Sequence, residues 1–251
     1  MAADGLDETL MFDGRLRLFQ PLRGHRVGTD AVLLAAAVDA PSGMIVDVGA
    51  GCGAVGLALA LRAPGARVTL VEIDPAMAEV ARRNVALNDF AARVTVAEAD
   101  VLNAPSRSAL SLANDSADLV VTNPPFFSAG AARSSPDAGR ARAHVLAQGA
   151  TLEAWVKACA ALLKPKGKLV VIHRADALHE LLAAMAARLG DIAILPVHPR
   201  AGEAAARVLV RGVKGSRAPL ALRAGLTLHG EGGSFTPQAE ALHRGVATLG
   251  L

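Results

Sequence analysis

Met44-Ile-Val-Asp-Val-Gly-Ala-Gly-Cys-Gly53 is the stretch that decides the fold. Its apolar opening predicts a strand over Met44–Val48. The glycine cluster behind it predicts a tight turn, because backbone without a Cβ turns sharply and lets a ligand approach. The apolar spacing then predicts a helix over Val55–Arg62, ended by Ala63-Pro64-Gly65. A helix N-terminus standing behind glycines offers free amides to an anionic group.

Outward from this unit the pattern repeats. Further strands are predicted at Arg67–Ile73, Arg93–Ala97, Asp118–Thr122, Lys168–His173, Asp191–Val197 and Arg207–Val213. Helices are predicted at Ala76–Leu87, which starts after the capping pair Asp74-Pro75, and at Leu152–Leu163 and Ala175–Arg188. Strands alternating with helices give an α/β fold: a seven-stranded, mostly parallel sheet with helices on both faces. Ligands then sit beyond the carboxyl ends of the strands. One domain is expected over residues 1–251, with an N-terminal segment (1–40) covering the site, a Rossmann-like core (41–215) and a C-terminal extension (216–251). Ser128–Arg142, with Arg133, Arg140 and Arg142, reads as a polar loop. The tail from Leu226 reads as a short strand, a Gly-rich turn and a helix beginning near Thr236-Pro237.

Bulk composition narrows the classes. The 251 residues are 52% apolar but only 3% aromatic, with no Tyr. A net charge of +3 leans towards polyanionic partners, although a composition that favours Arg over Lys accounts for it equally well. Cys52 and Cys159 form no CxxC pair, so neither a disulfide framework nor a zinc site is expected. Packed, reduced thiols suit the cytoplasm. The acidic start Met1–Glu8 is unlike a signal peptide, and the apolar stretch Ala31–Ala40 is too short to span a bilayer. No metal and no membrane contact are expected.

Two cofactor readings compete for the glycines. Gly51-Cys-Gly-Ala-Val-Gly56 fits the dinucleotide fingerprint, with Glu72 at the right distance to hold a ribose. The longer string, an acid on the strand followed by GxGxG, resembles the class I methyltransferases. That resemblance implies S-adenosyl-L-methionine as cofactor, with Asp47, Gly49, Gly51 and Gly53 towards its amino-acid half. Glu72 would accept from both ribose hydroxyls, with Ile73 beside it, and Asp100 would lie at the adenine end. The plain alternative is that Asp47 and Asp100 cap turns.

Asn123-Pro124-Pro125-Phe126 follows the fourth predicted strand of the glycine-motif unit and selects the reaction. An exocyclic amine is a poor nucleophile because its lone pair is delocalised into the ring. The Asn123 side-chain oxygen and the Pro124 carbonyl can each accept one of its N–H bonds. Two acceptors draw the nitrogen towards tetrahedral geometry and stabilise the charge that develops on it. Pro124 and Pro125 stiffen the backbone in advance, and Phe126 supplies a stacking face. Hydride transfer has no use for such a turn, so the methyltransferase reading displaces the dehydrogenase. Asn123 would also border the cofactor.

The segment Asp13–Ala35, with Gly24-His-Arg-Val-Gly-Thr-Asp30 inside it, is similar to the opening of the bacterial tRNA(Val) adenine-N6 methyltransferases. The likeness continues through Asn123–Phe127, Leu162–Arg174 and the tail. It implies that Thr29 and Asp30 line the cofactor pocket and that the substrate is an adenine beside a tRNA anticodon. Phe126 stands where that family often has Tyr, which keeps the stacking face. Arg133, Arg140 and Arg142 are the expected RNA contacts. Related turns also serve guanine or adenine in ribosomal RNA, adenine in DNA and the glutamine of release factors. A non-catalytic RNA-binding module is the other alternative. Trp155, at helical spacing among apolar residues, reads as core.

Overall fold

The computed structural model describes residues 5–22, 26–39, 42–109, 112–125 and 151–251. The chain opens with an antiparallel hairpin, β1 (Leu6–Met11) and β2 (Leu16–Pro21), that is separate from the main sheet. It continues through α1 (Thr29–Ala36), β3 (Met44–Val48), α2 (Ala54–Arg62), β4 (Arg67–Glu72), α3 (Pro75–Leu87), β5 (Val94–Glu98), α4 (Ala104–Ala109) and β6 (Ala117–Thr122). After residue 150 come α5 (Leu152–Leu162), β7 (Leu163–Arg174), α6 (Leu178–Ala186), β8 (Leu189–Arg200) and β9 (Arg207–Lys214). The short strands β10 (Ala221–Leu222) and β11 (Leu226–His229) and the helix α7 (Pro237–His243) complete the chain.

The sheet runs β5-β4-β3-β6-β7-β9-β8, with β10 and β11 both along the outer edge of β8. From β5 to β7 every pairing is parallel; β9 is antiparallel to both its neighbours. The chain leaves β3 towards β4 and β5, then returns to place β6 on the other side. The crevice beyond the ends of β3 and β6 is therefore the topological switch point, where such sheets hold ligands. Alternation along the strands feeds two cores. Ile45 joins the one under α1, α2 and α3, whereas Val46 and Val48 join the one under α5 and α6.

All seven expected strands form the main path of the sheet. The sheet has nine strands rather than seven because β10 and β11 add to its edge. These have two and four residues, too few to show a period. The hairpin β1–β2 was likewise not expected, and it is held from outside. Asn84 of α3 accepts from the Phe19 amide at 2.7 Å and donates to the Phe19 carbonyl at 2.9 Å. One turn on, Asn88 does the same with Arg17, at 3.0 and 2.7 Å. Four helical residues rise about 6 Å, and two strand residues about 6.8 Å. The two amides therefore act as a substitute strand along β2. Buried Asn84 also donates to the Cys52 carbonyl at 2.9 Å, which ties the hairpin to the glycine loop.

The tail closes on the same region. Leu249 and Leu251 donate to the carbonyls of Ala36 and Ala37 at the end of α1, supplying partners that a helix terminus lacks. Arg244 pairs with Asp13 in the hairpin turn at 3.0 Å. Among the described residues, no helix is long and apolar enough to cross a membrane.

Candidate active site

Val48 and Thr122, the last residues of β3 and β6, are register partners. The glycine loop and the Asn-Pro-Pro turn therefore leave the sheet side by side. The loop folds back on β4: the Gly49 and Ala50 amides donate to the Val71 carbonyl at 2.9 and 3.0 Å. Gly49, Gly51 and Gly53 all have positive φ, which explains the residue type at each. Gly56 is required for closeness instead. A Cβ there would lie 2.2 Å from the Leu70 side chain, so α2 packs directly on β4.

Glu72 ends β4 beside this loop and is nearly buried. One carboxylate oxygen accepts from the Gly51 amide at 2.7 Å, and the other from the Ile73 and Asp74 amides at 2.9 Å each. Burial raises its pKa, opposed by the amide bonds from Asp74, Gly51 and Ile73. A carboxylate offers about four lone-pair positions, so about one stays available to a ribose hydroxyl; serving two requires the Gly51 bond to exchange. A Cβ on Gly51 would meet nothing within 4 Å, so the space beside the loop is open. An anchored carboxylate and an unobstructed glycine backbone fit the ribose and amino-acid parts of S-adenosylmethionine.

Asp47 lies deeper. It is buried and accepts from the Gly56 amide at 2.8 Å, bracing the first turns of α2 against β3. Burial, opposed by the Gly56 bond and aided by Glu72, pushes its pKa up to about 7. Asp100, half-buried after β5, accepts from the Leu102 amide at 2.9 Å and so caps its own turn. Thr29 and Asp30 open α1, which packs on α2. Asp30 pairs with Arg207 at the start of β9, at 3.0 Å.

At the end of β6, Asn123 is half-buried, Pro124 buried and Pro125 half-buried. The fully buried Thr122 before them donates its hydroxyl to the Val48 carbonyl at 2.8 Å. The same hydroxyl accepts from the Trp155 indole N–H at 3.0 Å. Trp155 also lies against Gly49, where a Cβ would stand 3.2 Å from its ring. This side chain, which spacing alone assigned to the core, joins both motifs. No period could reveal that; only its rarity, as the single Trp of a chain without Tyr, marked it.

The structure thus gathers Asp47, Gly49, Gly51, Gly53, Glu72, Ile73, Asn123, Pro124 and Pro125 along one sheet edge. Asp100 follows β5 at the same edge; Thr29 and Asp30 open α1, where Asp30 is paired with Arg207. Phe126, Arg133, Arg140 and Arg142 lie outside the described residues. Among the described residues, the edge beyond Asn123 carries ion pairs of Arg174 with Asp176 and of Arg207 with Asp30. His198 donates from Nδ1 to the Glu203 carbonyl at 2.8 Å, and its ring abuts Gly225, just before β11.

A glycine loop with a ribose-ready carboxylate, beside an Asn-Pro-Pro turn at the switch point of a β5-β4-β3-β6-β7-β9-β8 sheet, defines a class I S-adenosylmethionine-dependent methyltransferase. The chain belongs to the methyltransferase small domain family, whose sequence model matches residues 25–195. It is 38% identical over 182 residues to the tRNA1(Val) (adenine(37)-N6)-methyltransferase of Porphyromonas gingivalis, covering 68% of this chain and 69% of that one. The enzyme of that description from Aeromonas hydrophila is 34% identical over 189 residues, covering 74% and 75%. Among solved structures, a protein of Agrobacterium tumefaciens described as a predicted O-methyltransferase is 37% identical. It superposes with a TM-score of 0.74, over 88% of this chain and 99% of that one.

Proposed function

We propose that the protein methylates N6 of an adenine in tRNA, beside the anticodon of tRNA(Val), and that it does so in the cytoplasm. The observation that carries the proposal is the register pairing of Val48 with Thr122, which sets the cofactor loop and the amine-binding turn next to each other. S-adenosylmethionine supplies an electrophilic sulfonium methyl. Asn123 and the Pro124 carbonyl hold the two amine hydrogens so that the nitrogen lone pair faces that methyl. Transfer to the nitrogen so held would leave S-adenosylhomocysteine as the second product, and one N–H proton would pass to water. A hydroxyl nucleophile has a single hydrogen and leaves one of the two acceptors unused, so the turn favours N- over O-methylation. The N-terminal segment covers the site through α1, and Phe126 with Arg133, Arg140 and Arg142 engages the RNA. The thiols of Cys52 and Cys159 are buried, with pKa values pushed up by burial to about 11 and about 12. They remain protonated at neutral pH, in keeping with a reducing compartment.

The test is transfer of methyl to unmodified tRNA transcripts, followed by mass spectrometry of the nucleosides. N6-methyladenosine confined to tRNA(Val), at the adenine beside the anticodon, is the expected product. Methylguanosine in ribosomal RNA, methylglutamine in a release factor or a 2′-O-methyl product would replace the proposal.

A further inference from the structure

We propose that Trp155 is a positioning residue for methyl transfer, one that sets how far the cofactor loop stands from the amine-binding turn. It rests on the reading of Asn123 as the amine acceptor. Two motifs that must be aligned to fractions of an ångström begin one residue beyond a register pair, Gly49 after Val48 and Asn123 after Thr122. Main-chain bonds from Gly49 and Ala50 to the Val71 carbonyl hold the loop to β4, on the side of β3 away from the turn. Trp155 reaches both. Its ring contacts Gly49, where the absence of a Cβ admits it, and its N–H fixes the hydroxyl of Thr122. That hydroxyl, with its hydrogen committed to the Val48 carbonyl, presents a lone pair to the indole. The chain of contacts Gly49–Trp155–Thr122–Val48 closes a ring around the switch point.

The helix that carries Trp155 is itself anchored. Thr151 caps α5 by accepting from the Ala154 amide at 3.1 Å, and the Trp155 amide donates to the Thr151 carbonyl at 3.0 Å. Leu152, Val156 and Cys159 of the same helix are buried in the core beneath. The indole is thus held by a helix anchored in the core. Any buried indole N–H needs an acceptor; what sets Trp155 apart is that its acceptor stands at the end of β6 while its ring lies against the first residue of the glycine loop.

The experiment compares Trp155→Phe, Thr122→Val and Thr122→Ser with the native chain, measuring S-adenosylhomocysteine affinity, single-turnover methyl transfer and the KM for RNA. Trp155→Phe keeps a ring near Gly49 but loses the N–H; the rate constant is expected to fall about 10-fold with cofactor affinity changed less than about 3-fold. Thr122→Val should match it, Thr122→Ser should recover most of the rate, and the double variant Trp155→Phe/Thr122→Val should be no slower than Thr122→Val alone. Trp155 is the single tryptophan and there is no tyrosine, so the native emission reports this contact directly. S-adenosylhomocysteine is expected to change that emission, and Thr122→Val to shift its maximum in the absence of ligand. Native rate in Trp155→Phe, or rate losses that follow melting temperature across the variants, would overturn the assignment. So would an emission spectrum untouched by saturating S-adenosylhomocysteine. Failure of the native chain on every tRNA transcript, with that emission change intact, counts against the tRNA reading and not against Trp155.

Discussion

The hydroxyl of Thr122 donates to the carbonyl of Val48 at 2.8 Å, a side-chain bond laid across two residues that already face each other in the sheet. Each residue is followed by one half of the site: Gly49 starts the loop for the methyl donor, and Asn123 starts the turn for the acceptor. Bimolecular transfer becomes a question of how well these two starting points are held.

Asn123 is expected to act in the transition state more than in binding. Asn123→Ala should bind S-adenosylmethionine with near-native affinity and lose about 10²–10³ in single-turnover rate, the scale of one preorganised polar contact. Asn123→Asp keeps an acceptor oxygen and should retain part of the activity. Phe126→Ala should raise KM for RNA, whereas Phe126→Tyr keeps the stacking face and should be tolerated. A fully active Asn123→Ala variant would remove Asn123 from the chemistry.

Glu72 is expected to matter twice, for the ribose and for the loop. Glu72→Gln keeps an oxygen for the Ile73 and Asp74 amides but turns an NH2 group towards the Gly51 amide, which then loses its acceptor. Leaving such a group unpaired costs about 1–3 kcal/mol, so affinity for S-adenosylhomocysteine should drop by about 5–150-fold. Calorimetry that finds native affinity would show that Glu72 only braces the turn.

Asp47 predicts a pH dependence of stability. Its pKa rises from 3.8 when exposed to about 7 in the fold, so between these values the folded chain holds more protons than the unfolded one. Stability from this group is therefore present at acidic pH and declines as pH rises through that window, by up to about 1.4 kcal/mol per pH unit. Asp47→Asn keeps an oxygen for the Gly56 amide and cannot ionise. Thermal unfolding of the two chains should show Asp47→Asn gaining on the native protein between pH 4 and 7 and level above it. A difference that stays flat with pH would mean that the carboxyl ionises freely.

Asn84 and Asn88 should hold the N-terminal hairpin. Asn84→Ala removes partners from the Phe19 amide and from the Cys52 carbonyl, at a cost of about 1–3 kcal/mol. Amide hydrogen exchange at Arg17 and Phe19 should accelerate in Asn84→Ala/Asn88→Ala, while β3 and β6 stay protected. Unchanged exchange at Phe19 would show that β1 alone secures β2.

Much of this protein was legible in its residues taken in order. Met44–Val48, the glycines and the helix after them carry their signals within ten positions, and so do Glu72 at a strand end and Asn123-Pro-Pro after another. Strand-helix alternation then implies the parallel sheet and places all these ends on one edge. What the order of residues left open are contacts between remote positions of no fixed spacing. Thr122 meets Val48 across 74 residues and Trp155 across 33. Asn84 and Asn88 read as ordinary polar positions of a helix until β2 is laid against them, and β10 and β11 are strands only because β8 offers an edge. Local periodicity reports which face of an element is apolar, but a hydrogen bond between side chains far apart in the chain is decided by packing. The sequence alone therefore determined the class of chemistry and the edge that hosts it. The tertiary structure decided that an indole would join its two halves, because only the close approach of α5 to a glycine without a Cβ brings them within reach.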